Sequence, residues 1–134
     1  MANAQVHEDQ AKHNYKVLKY LQTKGEYRDW QITVAFYTAL HIVDCNLAKN
    51  NPDWKRMWAN AGMEKGWHAA RIKCINSVYS DIYNSYRFLI EKSKLVRYLE
   101  TFDKKAVDII SKQEAQEFIS KHLGAILKKF NYSW

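Results

Sequence analysis

The alternation of apolar and polar positions predicts helices along almost the whole chain. From about Ala4 to Lys24, positions 14, 17, 18 and 21 share one face, and Gly25 just past the end supplies a C-terminal stop. The polar segment ahead of Tyr15 leaves the first turns of this helix weakly held. A second helix, about Asp29 to Lys49 with Asp29 as its N-cap, is apolar nearly all round: Trp30, Ile32, Val34, Ala35, Phe36, Tyr37, Ala39, Leu40, Ile42, Val43 and Leu47. A helix of that kind belongs at the centre of a core. A third, about His68 to Lys92, carries the cleanest stripe: Ile72, Ile75, Tyr79, Ile82, Tyr86 and Leu89 recur at three, four, three, four and three. Between the second and third helices, the connection from Asn50 to Gly66 contains Pro52, Gly62 and Gly66. Two helical turns over Asp53–Asn60 within it put Trp54 and Trp58 on one face. The segment from Ser93 to Ile110 has no single reading. Lys94–Leu99 extends the third helix or bends away, and Val107–Ile110 is a turn of helix or an extended piece. Ser111-Lys112-Gln113-Glu114 then matches a capping box opening a last helix to about Phe130. Its stripe is Ala115, Phe118, Ile119, His122, Leu123, Ile126, Leu127 and Phe130. The expected fold class is all-α, an up-and-down helical bundle of four to five helices forming one domain over residues 1–134.

Composition narrows this further. With 134 residues, 47% of them hydrophobic, the chain has the material for one core and no second domain. One Pro and four Gly are too few for a turn-rich all-β protein. Cys45 and Cys74 sit in apolar helical stretches and read as small core residues, not as a disulfide framework. No apolar run approaches a membrane span, and Met1–Gln10 has no signal-peptide core, so the expectation is a cytoplasmic protein with no membrane association. There is no Gly-rich phosphate loop, nucleophile elbow, HExxH stretch or Cys pair, so no cofactor and no metal are expected.

Polar residues in apolar surroundings are the candidates for chemistry. Val34, Tyr37, His41 and Asp44 form one stripe on the second helix, and His68 and Arg71 share a face at the start of the third. If the two helices are antiparallel neighbours, His41 and Asp44 face His68 and Arg71. Two imidazoles, a carboxylate and a fixed cation suffice for acid–base work on a phosphodiester. The same four residues also suit a buried structural network in which Asp44 pairs with Arg71.

The net charge of +7 favours an acidic partner. Arg87, Lys92, Lys94, Arg97, Lys104 and Lys105 outnumber Glu91, Glu100 and Asp103 in one stretch, interleaved with Phe88, Tyr98 and Phe102. Cations for phosphates beside rings for unpaired bases suit RNA; a solvated face is the plainer reading. Lys55 and Arg56 join this nucleic-acid-binding set. They lie between Trp54 and Trp58, which with Trp67 either cap the core or anchor a partner.

The run Asp29-Trp30-Gln31-Ile32-Thr33-Val34-Ala35-Phe36-Tyr37-Thr38-Ala39-Leu40-His41, then His68-Ala69-Ala70-Arg71, Tyr86-Arg87-Phe88-Leu89, Ser93 and Arg97-Tyr98, resembles small prokaryotic HEPN-like proteins. The resemblance covers roughly Asn14 to Tyr98, and the last helix is compatible with it. It implies a helical bundle of four or five helices that commonly dimerises, or serves as a subunit of a larger complex. It also implies either metal-independent ribonuclease activity or a non-catalytic RNA-binding or partner role, in toxin–antitoxin, phage-defence or CRISPR-linked systems. In nuclease members an Arg is followed after four to six residues by His. Here the corresponding positions are Asn76, Ser77 and Val78 past Arg71, Lys92, Ser93 and Lys94 past Arg87, and Phe102, Asp103 and Lys104 past Arg97. The standard motif is therefore missing, and the expected function is an RNA-associated or protein-interaction module.

Overall fold

A computed structural model describes residues 3–51, 53–60, 62, 66–99 and 103–134. Pro52, Glu100 and Phe102 lie outside the described residues. The chain is all-α: α1 (Ala4–Lys24), α2 (Arg28–Asn50), α3 (Trp54–Asn60), α4 (Trp67–Val78), α5 (Tyr83–Tyr98) and α6 (Lys112–Lys129), with 3-10 turns at Ser80–Ile82 and Ala106–Asp108. No described residue is in a strand.

The apolar girth of α2 has the predicted consequence. The helix packs against α1, α5 and α6, and between Gln31 and Leu47 only Val34, Tyr37 and His41 are not fully buried. That half-buried stripe is the polar stripe of the sequence, and Asp44, its next member, is 1% exposed. α1 runs antiparallel to α2. His7 near its start meets His41, and Gln31 near the start of α2 donates to the Leu21 carbonyl. α6 lies alongside α2 in the same direction. Arg28 donates to the Ile110 and Val107 carbonyls at one end, and Asn46 to the Tyr132 hydroxyl at the other.

Helix ends follow their local chemistry in three places and depart from the expectation in one. Gly25 ends α1 in the left-handed region, φ 71°, with its N–H on the Leu21 carbonyl. Ser111 caps α6 by accepting from the Glu114 N–H at 3.1 Å. Asn3 caps α1 through its side chain. α1 is in addition held along its length, because His7 and Ala11 are buried; the polar start is not weakly held. The exception is Asp29. It sits inside the first turn of α2, whose N-cap is Tyr27, and contributes charge there but not a cap.

The long third helix is corrected to two helices. α4 ends at Tyr79 (φ −134°, ψ 48°), and a 3-10 turn leads into α5. Tyr79 sets the break. Its ring packs edge-on against Phe130, with centroids 4.9 Å apart, and its hydroxyl donates to the Asn46 carbonyl at 3.1 Å. The apolar stripe keeps its phase through the turn, since Ile75, Ile82, Tyr86 and Leu89 are all buried. α5 continues to Tyr98, so Lys94–Leu99 extends the helix nearly to its end, where Leu99 adopts φ 53°. Ala106–Asp108 is a 3-10 turn, and the Arg28 fork holds the Val107 carbonyl within it and the Ile110 carbonyl just past it.

Ser111→Ala removes the α6 cap and is expected to cost about 1 kcal/mol of stability. Equilibrium urea unfolding of the two proteins measures it; coincident curves would mean that the cap carries no net energy.

Candidate functional site

Of the residues singled out in the sequence, His41 and His68 each feel the charges of Asp44 and Arg71, while their direct contacts lie in separate places. Asp44 and Arg71 do meet. Arg71 donates from Nε to Asp44 Oδ1 at 2.6 Å and from Nη2 to Oδ2 at 2.8 Å. Both side chains are almost wholly buried, 7% and 2% exposed. Burial pulls the Arg71 pKa down, but the hydrogen bonds and charge of Asp44 outweigh it and raise the guanidinium further. The flat face of Arg71 lies 5.2 Å from the Trp58 ring.

His41 makes its direct contact with α1. It shares an Nδ1–Nδ1 contact of 3.0 Å with His7 of α1, a residue that sequence reasoning did not connect with it. A contact of that length needs one proton between the two nitrogens. Burial lowers the pKa of both histidines; at His41 the neighbouring His7 lowers it further. His68 stacks near Phe36, Arg71 meets Asp44, and Tyr79 reaches Asn46 and Asn51. The contacts of α4 thus climb α2 in the same direction instead of antiparallel to it.

His68 has a different set of neighbours. Its ring tilts against Phe36, centroids 5.8 Å apart, and its Nδ1 is buried without a hydrogen-bond partner. Burial lowers its pKa, and the charges of Arg71, Lys94 and Arg97 lower it further, so the ring is neutral at pH 7. Arg97 is locked in place. It donates from Nη1 to the Tyr37 hydroxyl at 3.0 Å, from Nη2 to Ser93 Oγ at 3.2 Å and from Nε to the Ser93 carbonyl. Its guanidinium also lies over the rings of Phe36, Tyr37 and Tyr98. The junction of α2, α4 and α5 therefore holds a neutral imidazole, a pre-set guanidinium and the exposed Lys94. Arg71 and the wholly buried Tyr86 hydroxyl interact in the same region. Arg97 and Tyr37 complete a site the sequence had split between two hypotheses.

The remaining candidates divide by exposure. Trp58 is 2% exposed and belongs to the core, so of its two readings it takes the core one and is not a partner anchor. Trp54 packs partly buried against the core. Trp67, 50% exposed and edge-on to Trp58 at 5.1 Å, keeps a free face. Lys55 and Arg56 are exposed on α3, and Lys104 and Lys105 are exposed ahead of the 3-10 turn, so neither pair lies on α5. On α5 itself Arg87 pairs with Glu91 at 2.7 Å, and Lys92 lies over Phe118. No group of three or more metal-ligating side chains occurs among the described residues. No helix is long and apolar enough to cross a membrane among the described residues. No protein-family model, curated protein or solved structure matches this chain.

Two outcomes are expected. Asp44→Ala leaves Arg71 charged and buried without its carboxylate and should cost about 3–5 kcal/mol. A loss below about 1 kcal/mol in chemical denaturation would mean that water reaches the pair. Separately, His7, His41, His68 and His122 all have folded pKa values below the ordinary 6.5. The unfolded chain binds the extra protons, so stability is full above about pH 7 and falls as the pH drops through 6.5 toward the folded values. Denaturation midpoints across that range test this; His7→Gln should flatten the decline.

Proposed function

We propose that this chain is an HEPN-like, RNA-associated module of a prokaryotic defence or toxin–antitoxin type system, acting as a homodimer or as a subunit of a larger complex. The observation that carries the reading is the α2–α4–α5 junction, where Arg97 is fixed by Tyr37 and Ser93 with Lys94 and His68 beside it. A guanidinium held in place loses little entropy when it meets a phosphate, and a nearby lysine adds charge without dictating geometry. The resemblance over Asn14–Tyr98 and the net charge of +7 support the same reading. The exposed Trp67 supports the partner role.

One observation favours a catalytic variant. A neutral His68 near Arg97 has the form of a general base beside an oxyanion holder, with Nε2 as the proton acceptor because Nδ1 is enclosed. In that variant His68 takes the proton of a 2′-hydroxyl, the 2′-oxygen bonds to phosphorus, and the 5′-oxygen leaves with a proton from water. The products are a 2′,3′-cyclic phosphate and a free 5′-hydroxyl.

Binding to a mixed RNA pool should weaken steeply from low to high salt. Lys94→Ala should weaken it uniformly and reduce the salt slope by about 1. RNA affinity that is absent, or the same at both salt concentrations, overturns the module reading. The pool incubated with EDTA separates the variants: cleavage by the wild type that disappears in folded His68→Ala establishes the ribonuclease, and an intact pool leaves binding as the function.

A further inference from the structure

The face between α5 and α6 carries a second feature that the sequence reading had dissolved into a basic stretch and a core stripe. A groove of about 460 Å³ runs between the two helices. Phe88 and Phe118 line it with His122 between them; the His122 ring lies 5.1 Å from Phe88 and 4.8 Å from Phe118. His122 is itself buried and fixed by an Nδ1 contact of 3.2 Å to Ser85 Oγ. Phe88 is 49% exposed, a large apolar area for a side chain with no covering element. Lys92 and Lys121 line the groove as well, and the Lys92 ammonium sits 5.6 Å over the Phe118 ring. The carboxylate in the lining, Glu91, is neutralised by Arg87 at 2.7 Å.

We propose that this groove is a nucleobase site: it takes the base of one unpaired nucleotide of single-stranded RNA, with the adjoining phosphates on Lys92 and Lys121. The exposed Phe88 ring, backed by His122 and Phe118, offers a stacking face that any base can use, since every base has a π-face. Two lysines beside a neutralised carboxylate leave the groove net positive, which fits an occupant that is flat, apolar on its faces and anionic at its edges. Duplex RNA meets neither condition, because its bases are already stacked. The inference rests on the RNA-associated reading above and assigns it a recognition mode, single strand over duplex, at a place distinct from the Arg97 junction.

The test uses the whole chain and a short single-stranded oligouridylate, the same oligomer with abasic riboses, a duplex RNA and a polyglutamate. Wild type should bind the single strand at least several-fold more tightly than the abasic or duplex forms. Phe88→Ala should weaken the single-strand complex roughly ten-fold while leaving the abasic complex unchanged. Phe88→Tyr, which keeps the ring, should restore the affinity. Lys92→Gln and Lys121→Gln should each lower the salt slope. Uridine monophosphate alone should shift the His122 ring-proton resonance. RNA binding that is indifferent to base, strandedness and Phe88 overturns the nucleobase site and leaves the RNA-associated module standing. Failure to bind any RNA overturns both. Phe88-dependent binding of polyglutamate in preference to RNA reassigns the groove to an acidic peptide and overturns the proposal as stated.

Discussion

A carboxylate and a guanidinium taken together out of water hold a fold only if each is satisfied by the other, and the Asp44–Arg71 pair meets that condition with two short, parallel hydrogen bonds. Much of the site depends on it. α4 has only twelve residues and meets α2 mainly through this pair and the His68–Phe36 contact. The pair therefore fixes how far along α2 the short helix sits. The face of the same guanidinium lies on Trp58, which ties α3 to the pair and sets Trp58 in the core. His68, one turn before Arg71, then has no freedom to leave Phe36. The position of the imidazole against Arg97 is thus a consequence of an ion pair that itself has almost no contact with solvent.

This arrangement explains which parts were legible in the sequence. Periodicity is a property of neighbours three and four residues apart, so the stripes and the central burial of α2 could be read directly. Asp44 and Arg71 could be read as a pair because each interrupts an apolar stripe, and a charge in such a place needs a counter-charge. The break at Tyr79 could not be read. It depends on Phe130 and Asn46, distant in sequence, and the stripe keeps its phase across the 3-10 turn so that nothing in the pattern marks it. The His7–His41 contact was hidden for a similar reason. His7 lies in a polar run, and only the antiparallel return of α2 puts it against a residue 34 positions away. Trp58 and Trp67 look alike in sequence, yet one is core and the other surface, because the Arg71 face that covers Trp58 is a tertiary feature.

The net charge also conceals a division of labour. Arg28 and Arg71 are committed to the fold: one clamps the 3-10 turn before α6, the other anchors α4. Arg87 is paired with Glu91. Arg97 is the intermediate case, saturated on one side by Tyr37 and Ser93 and bordered by three aromatic rings. The lysines, by contrast, stand mainly at the surface on flexible stems. Guanidinium is suited to the first role because its rigid fork matches carbonyls and carboxylates in fixed geometry; ammonium is suited to the second because its charge needs no particular approach.

That division bears on how a polyanion would meet this surface. Lysines alone attract a phosphate chain but hold it in no register, so they provide encounter without selection. Register requires rigid groups, and the surface near α5 has two kinds: the guanidinium fixed at the α2 junction and the rings fixed by packing against α6. Both are immobilised by the core behind them, since Arg97 is held through Tyr37 of α2 and the groove rings flank His122, which is pinned to Ser85. α5 therefore carries an electrostatic element and an aromatic element on opposite sides, because Phe88 and Arg97 stand about two and a half turns apart. A flexible single strand can adapt to such a pair by adjusting its own backbone, whereas a rigid duplex cannot. The selectivity proposed for this surface thus follows from which partner does the adapting.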